Sequence, residues 1–291
     1  MANDDNYPVE SDRRRFVKGV VGGSVLSGLL TTGAAGVTLS TKPSGGGGGA
    51  MDYFGAVREL GPAPRGLPQI PIEIDDEGYL QGLWPEPETV EEGGVEYQVS
   101  RTEIDIGGGE SVTYSTEWFQ YCGLQTFEGI RPDAEGQDEY LRYDDPLPTA
   151  DYPWLEEVTA GNQMHVDDFE NYEDWGNNVG DAGVGQPAAG TWRSQDVSPE
   201  SKIPILVIRS TRIEEMAQDD EWIAQTCPEG FIAFVNKCTH FCCVPGYKKL
   251  SEASNYNAEN KIYCNCHQSV YDPFDIAQQQ LISLPRPEGD E

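Results

Sequence analysis

Two short windows near the C-terminal end constrain this chain more than anything else in it. The first reads Cys238-Thr239-His240-Phe241-Cys242-Cys243 and the second Cys264-Asn265-Cys266-His267-Gln268-Ser269. Five of the seven cysteines and two of the three histidines fall inside them. Such clustering demands a fold that brings two loops to one point, because thiols and imidazoles are the side chains that hold soft and borderline metals. Two plainer readings compete. A zinc ion can take a Cys2His2 set, which would make the chain a zinc-stabilised surface binding module. The cysteines can also be ordinary disulfides of an exported domain. Zinc fingers group Cys with Cys and His with His. Here each window offers both types, as a cluster with two unlike irons requires.

The strands around the windows read as short and antiparallel. Residues 203–209 form an apolar run, and residues 222–225 and 231–235 flank a turn at Pro228-Glu229-Gly230. Further upstream, residues 96–106 and 111–117 alternate polar and apolar around Gly107-Gly108-Gly109, the pattern of a hairpin. Residues 131–190, rich in Pro, Gly, Asp, Trp and Tyr, read as long loops packed on the domain. His165 stands alone there and is read as structural. Gly61-Pro62-Ala63-Pro64 reads as a turn-rich entry to the outer domain.

Charge narrows the function. The chain of 291 residues carries 50 acidic against 19 basic residues, a net charge of −31. Nucleic-acid binding is excluded, since it needs a Lys/Arg surface. Six Trp and 14 Tyr argue against wholesale disorder. The acid excess resembles proteins of extreme halophiles, haloarchaeal ones among them. At molar salt the Debye length is about 3 Å, so this charge serves hydration and not long-range steering.

The N-terminal region reads as an address and an anchor. Asp12-Arg13-Arg14-Arg15-Phe16-Val17-Lys18 carries the twin-arginine export pattern. Residues 19–41 hold no charge and, at about 1.5 Å per residue, can cross a hydrocarbon layer of about 30 Å. Cleavage near Ala34-Ala35 is the competing reading. The basic residues before this stretch favour a cytoplasmic N-terminus and put the rest of the chain on the extracellular face of the cell membrane. Residues 42–50, with five consecutive glycines, read as a flexible hinge. About ten such residues reach roughly 17 Å on average and roughly 35 Å when stretched. The expected organisation is therefore a cytoplasmic segment 1–18, a transmembrane anchor 19–41, a hinge 42–50, an acidic extension of strands and loops 51–195, and a domain 196–291 with its cluster-binding loops at about 236–275.

The windows resemble the motif pair of the Rieske iron–sulfur family, Cys-x-His-x-x-Cys and Cys-x-Cys-His-x-Ser. The resemblance covers roughly residues 196–290. It implies a mainly β fold, an antiparallel sandwich with a small cluster-binding subdomain, here preceded by one N-terminal transmembrane helix. It implies one 2Fe–2S cluster with Cys238 and Cys264 on one iron and His240 and His267 on the other. It also implies a disulfide between Cys243 and Cys266, with Cys242 as a neighbouring competitor. Ser269 resembles the serine that bonds a bridging sulfide, and Tyr271 the tyrosine that bonds a ligand thiolate, here Cys238. Both hydroxyls match the family's high-potential branch. Leu284-Pro285-Arg286-Pro287 resembles the proline loop covering the cluster from a third side. The chain departs from the pattern at Cys242 and Gln268, where Gly is usual, and at Asn265, where Pro is usual. Cys122 and Cys227 are left to pair with one another or to lie buried as small apolar residues.

The function implied is that of the Rieske subunit of a quinol–cytochrome c-type oxidoreductase of the respiratory chain, not a complete enzyme alone. His267 and His240 would meet the quinol. The partners would be quinol, a cytochrome b-type subunit, and a cytochrome or blue-copper acceptor, within a dimeric complex held at the membrane by one helix. The alternative of the same class is the small Rieske subunit of a molybdenum oxidase of the arsenite-oxidase type.

Overall fold

The computed structural model describes residues 47–287, Gly93 excepted. The export pattern in 1–18, the anchor 19–41 and the first part of the hinge lie outside the described residues. Within them, no helix is long and apolar enough to cross a membrane.

The chain is mainly β and every strand pairing is antiparallel. Fourteen strands follow in order: β1 Gly49–Leu60, β2 Leu67–Ile70, β3 Ile72–Ile74, β4 Leu80–Gly82, β5 Pro87–Glu92, β6 Val95–Asp105, β7 Ser111–Ser115, β8 Leu141–Tyr143, β9 Gln186–Trp192, β10 Ile203–Arg209, β11 Phe231–Val235, β12 Gly246–Tyr247, β13 Ile262–Cys264 and β14 Ser269–Ser283. Two short helices, α1 Thr211–Met216 and α2 Glu221–Thr226, stand between β10 and β11. Nine strands make one sheet in the order β12-β13-β14-β1-β2-β11-β10-β9-β8. β3 and β4 form a hairpin, and β5, β6 and β7 form a three-stranded meander.

Why these residues form this sheet is clearest at β10. Ile205, Leu206, Val207 and Ile208 are all buried, so both faces of the strand are covered. Each such side chain contributes roughly 1.5–3 kcal/mol of transfer free energy. β10 pairs with β9 from Ile203↔Trp192 to Arg209↔Gln186, and with β11 from Ile205↔Val235 to Arg209↔Phe231. The expected hairpin around the three glycines joins β6 to β7, with Asp105 opposite Ser111. Beneath the sheet an aromatic layer gathers around Trp118. Tyr114 meets it edge-on at 5.1 Å, Tyr53 at 6.3 Å, and Trp222 lies 6.0 Å away.

Three sequence expectations change. Residues 222–225 are helical, not a strand, because Asp220 caps α2 by accepting the Ile223 amide at 3.1 Å. The helix then buries Trp222, Ile223 and Thr226, and the Trp222 indole donates to Gln69 at 2.9 Å. The hinge also ends early. Gly48 donates to Glu117 Oε1 at 2.9 Å, and Gly49 and Ala50 already pair with Ser283 and Ile282. Finally, residues 51–195 are not an appendage. β1 and β2 stand between β14 and β11, and β9 and β8 extend the sheet beyond β10. The described residues form one compact unit.

This topology positions three connections together. The chain passes from β1 to β2 through residues 61–66, from β11 to β12 through the first window, and from β13 to β14 through the second. β12 pairs with β13 and β11 with β2, so all three connections leave the same group of neighbouring strands.

Lys248, just after β12, is buried among aromatic rings, with its Nζ 5.8 Å from both the Trp175 and Tyr247 centroids and donating to the Asp181 carbonyl. Burial draws its pKa from the ordinary 10.5 down to about 8, with Asp181 opposing. Between those values the unfolded chain binds more protons than the native chain, so this group makes stability rise with pH. Lys248→Met should remove that component. In denaturant titrations, the stability gap between wild type and variant should move in favour of wild type as pH rises from 8 to 10; a gap independent of pH would refute this.

Candidate metal centre

The first window is shaped by its own backbone. The Cys238 amide donates to the Cys243 carbonyl at 2.7 Å and the Cys242 amide to the Cys238 carbonyl at 3.0 Å. These two bonds close the loop and fix Cys238 inside it, 2% exposed. Phe241 stands outward at 66% exposure. The second window is the tip of a hairpin, with Cys264 paired to Ser269 and residues 265–268 exposed between them. Gln268 takes a φ of 55° to close this tip, and Cys242 takes 62° in the first loop. Both stand where the family resemblance favours glycine, and both keep the left-handed backbone that glycine adopts freely.

The two windows meet at their sulfurs. The Cys264 thiol, also buried, lies beside the Cys238 sulfur and acts on it electrostatically. The His240 and Phe241 amides turn toward Cys238, and the Cys266 and His267 amides toward Cys264. The Tyr271 hydroxyl lies 3.1 Å from the Cys238 sulfur. The Cys264 thiol is the largest influence on Cys238; with Tyr271 and the amides it outweighs burial and draws this thiol down to about 5. Cys264 is raised in turn, because the Cys238 sulfur lies beside it and because it is buried. Burial, followed by the bond to Cys238, pushes Tyr271 up, so it remains a donor.

The histidines form the outer side of the same cluster. The His240 and His267 rings stand 4.7 Å apart, nearly perpendicular at 83°. Phe241 packs on both, at 4.2 and 5.2 Å. Two polar atoms among the described residues are buried here without any hydrogen-bond partner: His240 Nδ1 and Ser269 Oγ. An unmet buried polar atom costs about 1–3 kcal/mol. Two buried thiols, two neighbouring imidazoles and two unmet polar atoms fit a group that takes thiolate and imidazole ligands and accepts a hydrogen bond from serine. The sulfurs of Cys243, Cys264 and Cys266 also lie within 4.8 Å of one another. Two of these are joined to each other, so that trio offers one thiol.

The disulfides answer the open pairing questions. Cys243 is bonded to Cys266, with Cα atoms 6.7 Å apart, which ties the two windows together. Cys242 is bonded to Cys122, 120 residues earlier, with Cα atoms 5.3 Å apart. Cys122 therefore does not pair with Cys227. Cys227 is a buried free thiol that accepts from Gln69 Nε2 at 3.1 Å, and burial pushes it up to about 12.

The third wall comes from residues 61–66, not from residues 284–287. Gly61 lies so close to the second window that an added Cβ would sit 2.5 Å from the Gln268 carbonyl oxygen and 2.6 Å from Ser269 Cα. Thr239 Oγ1 donates to the Arg65 carbonyl at 2.7 Å. The Arg65 guanidinium covers the Tyr121 ring at 5.0 Å. Leu284 and Arg286 instead bond the backbone carbonyls of Gln120 and Gln98. Thr239, Arg65 and Gly61 were therefore missed by the motif reading. The signal was present in the Gly61-Pro62-Ala63-Pro64 run, whose stiffness suits a wall as well as an entry turn. His165 lies apart from the centre. Its Nε2 meets the Glu77 carbonyl at 2.7 Å and its Nδ1 accepts the Asp167 amide at 3.1 Å, which caps a short turn.

Comparison with protein-family models, with curated proteins and with solved structures found no match for this chain.

Gly61→Ala tests the third wall. Overpacking costs about 1–3 kcal/mol, and Gly61 has a φ of 89°, where a side chain adds strain. The variant should lose more than about 2 kcal/mol in denaturant titration. A loss within 0.5 kcal/mol, roughly that of an ordinary surface change, would mean the wall yields freely.

Proposed function

We propose that this chain is a Rieske-type iron–sulfur electron-transfer subunit of the high-potential kind, which takes an electron from quinol and passes it to a cytochrome or blue-copper acceptor. The observation that carries this reading is the meeting of one buried thiol and one imidazole from each window: Cys238 with Cys264, and His240 with His267 at 4.7 Å. The antiparallel sheet and the three connections that leave its neighbouring strands support that reading.

Each residue has a distinct task. Cys238 and Cys264 would hold one iron as thiolates, and the amides aimed at their sulfurs favour that charged form. His240 and His267 would hold the other iron. His240 Nδ1, buried and unpartnered, would be the atom offered to that iron, with Nε2 left to hold or release a proton. A bound 2Fe–2S cluster with two neutral imidazoles supplies reversible one-electron transfer at about −150 to +300 mV. Ser269 Oγ, buried and unpartnered, and the Tyr271 hydroxyl, 3.1 Å from the Cys238 sulfur, would donate toward the sulfurs of such a group and favour its reduced form. Phe241, 66% exposed and packed on both imidazoles, offers an apolar surface beside the histidines to an apolar donor. The Cys243–Cys266 bond holds the two loops in register and suits an oxidising compartment.

The export pattern in the sequence and the uncharged stretch 19–41 support a head outside the membrane, where its partners in this reading would be a cytochrome b-type subunit and a dimeric complex. Gly48 bonds Glu117 and Gly49 pairs with Ser283, so the hinge read over 42–50 does not extend to these two residues.

Ser269→Ala and Tyr271→Phe test the assignment. Hydrogen bonds to charged groups are worth about 1.5–3 kcal/mol, and 59 mV is about tenfold for one electron. Each variant should therefore lower the midpoint potential by on the order of 60–130 mV in a redox titration, with iron content unchanged. Potentials equal to wild type would refute the two hydrogen bonds.

A further inference from the structure

Adjacent residues Cys242 and Cys243 are bonded in opposite directions. Cys243 reaches across to the second window, and Cys242 reaches back to Cys122. The family pattern places a glycine, not a crosslink, at position 242, so this second bond belongs to this chain. Its far end is well founded. Cys122 follows the turn Thr116–Phe119, whose Trp118 and Phe119 are buried in the core. Tyr121, buried beside it, donates to the Lys237 carbonyl at 3.0 Å. The Gln120 carbonyl accepts the Leu284 amide at 2.8 Å. Both bonded cysteines have positive φ, 53° at Cys122 and 62° at Cys242, a backbone that non-glycine residues rarely adopt.

The near end lies one residue from Phe241 and two from His240. The loop between Cys238 and Cys243 carries the more enclosed histidine, and its closing amide bond runs from Cys242 to Cys238. A bond that fixes Cys242 to the buried Trp118–Tyr121 segment therefore fixes the backbone on which His240 rides. The Cys243–Cys266 bond cannot do this alone, because its partner Cys266 sits on an exposed hairpin tip.

We infer that the Cys122–Cys242 disulfide is a positioning bond for the metal centre: it clamps the His240 loop to the core through residues 118–122, so that the two imidazoles keep their places independently of the Cys243–Cys266 bond. This rests on the reading of the windows as a cluster site. It gives part of the 51–195 region a function, as the foundation for one ligand loop.

The test uses the full chain in molar salt and four variants. Cys122→Ser/Cys242→Gly removes the bond while leaving a residue at ease with positive φ. Cys122→Ser/Cys242→Ser removes both. Cys243→Ser/Cys266→Ser removes the other disulfide, and the fourth variant combines it with Cys122→Ser/Cys242→Gly. Amide hydrogen exchange of residues 238–244 is read against that of β10, and the reduced centre is read by electron paramagnetic resonance. Loss of the Cys122–Cys242 bond should speed exchange in 238–244 at least tenfold with β10 unchanged. It should also spread the resonance into more than one form. Cys243→Ser/Cys266→Ser should keep its iron, and the combined variant should lose it. Wild-type exchange and resonance in Cys122→Ser/Cys242→Gly would overturn the inference, since the bond would then only support a strained backbone. Equal acceleration in β10 would overturn it too, since the bond would act on the whole fold. If the wild type holds no iron, the cluster reading fails, and the exchange comparison still decides whether the bond clamps this loop.

Discussion

Everything distinctive in this molecule depends on two buried thiols meeting. Cys238 and Cys264 lie 26 positions apart in the chain, the first on the loop between β11 and β12 and the second at the end of β13. They touch because β12 pairs with β13 while β11 and β14 flank β1 and β2 in the same sheet. An unshielded pair of thiolates would repel. Here the Tyr271 hydroxyl lies 3.1 Å from the Cys238 sulfur, and the neighbouring Cys264 thiol and backbone amides lower the Cys238 thiol, so one sulfur carries the charge while the other keeps its proton. The same donors would favour a metal-bound thiolate pair. The centre is thus organised by the backbone, and the side chains that differ from the family pattern, Cys242 and Gln268, keep its shape by taking the left-handed conformation themselves.

Much of this was legible in the sequence, for identifiable reasons. β10 and β11 were readable because their apolar runs end at clear turn residues. The β6–β7 hairpin was readable from alternation around three glycines. Residues 222–225 were misread because four residues cannot distinguish strand from helix, and the decisive cap, Asp220, lies outside them. The windows were legible because metal-ligating types are rare and their spacing is short-range. The third wall was not, since residues 61–66 reach the windows only through the long β1–β14 pairing. The Cys122–Cys242 bond was not legible either: a separation of 120 residues leaves no local trace.

The acidic composition has an internal counterpart. Of the 19 Lys and Arg in the chain, several sit against aromatic rings, and two of these, Arg193 and Arg209, also pair with Glu139 and Glu229. Arg193 covers Trp84 at 3.8 Å, Arg209 covers Tyr172 at 4.3 Å, and Arg65 covers Tyr121. At molar salt, exposed ion pairs are screened within about 3 Å, whereas a cation on a buried ring keeps most of its attraction. At these three positions the ring contact is the part that high salt weakens least. One of the three, Arg65, lies on the wall of the candidate centre.

The most direct test of the account is electron paramagnetic resonance of the purified full chain after mild reduction, with iron, sulfide and zinc counted in the same sample. The account predicts a coloured protein with two irons and two acid-labile sulfides per chain, at about −150 to +300 mV, and a rhombic signal with couplings from two histidine nitrogens. A colourless protein that holds zinc at Cys238, His240, Cys264 and His267, with no such signal, would contradict it.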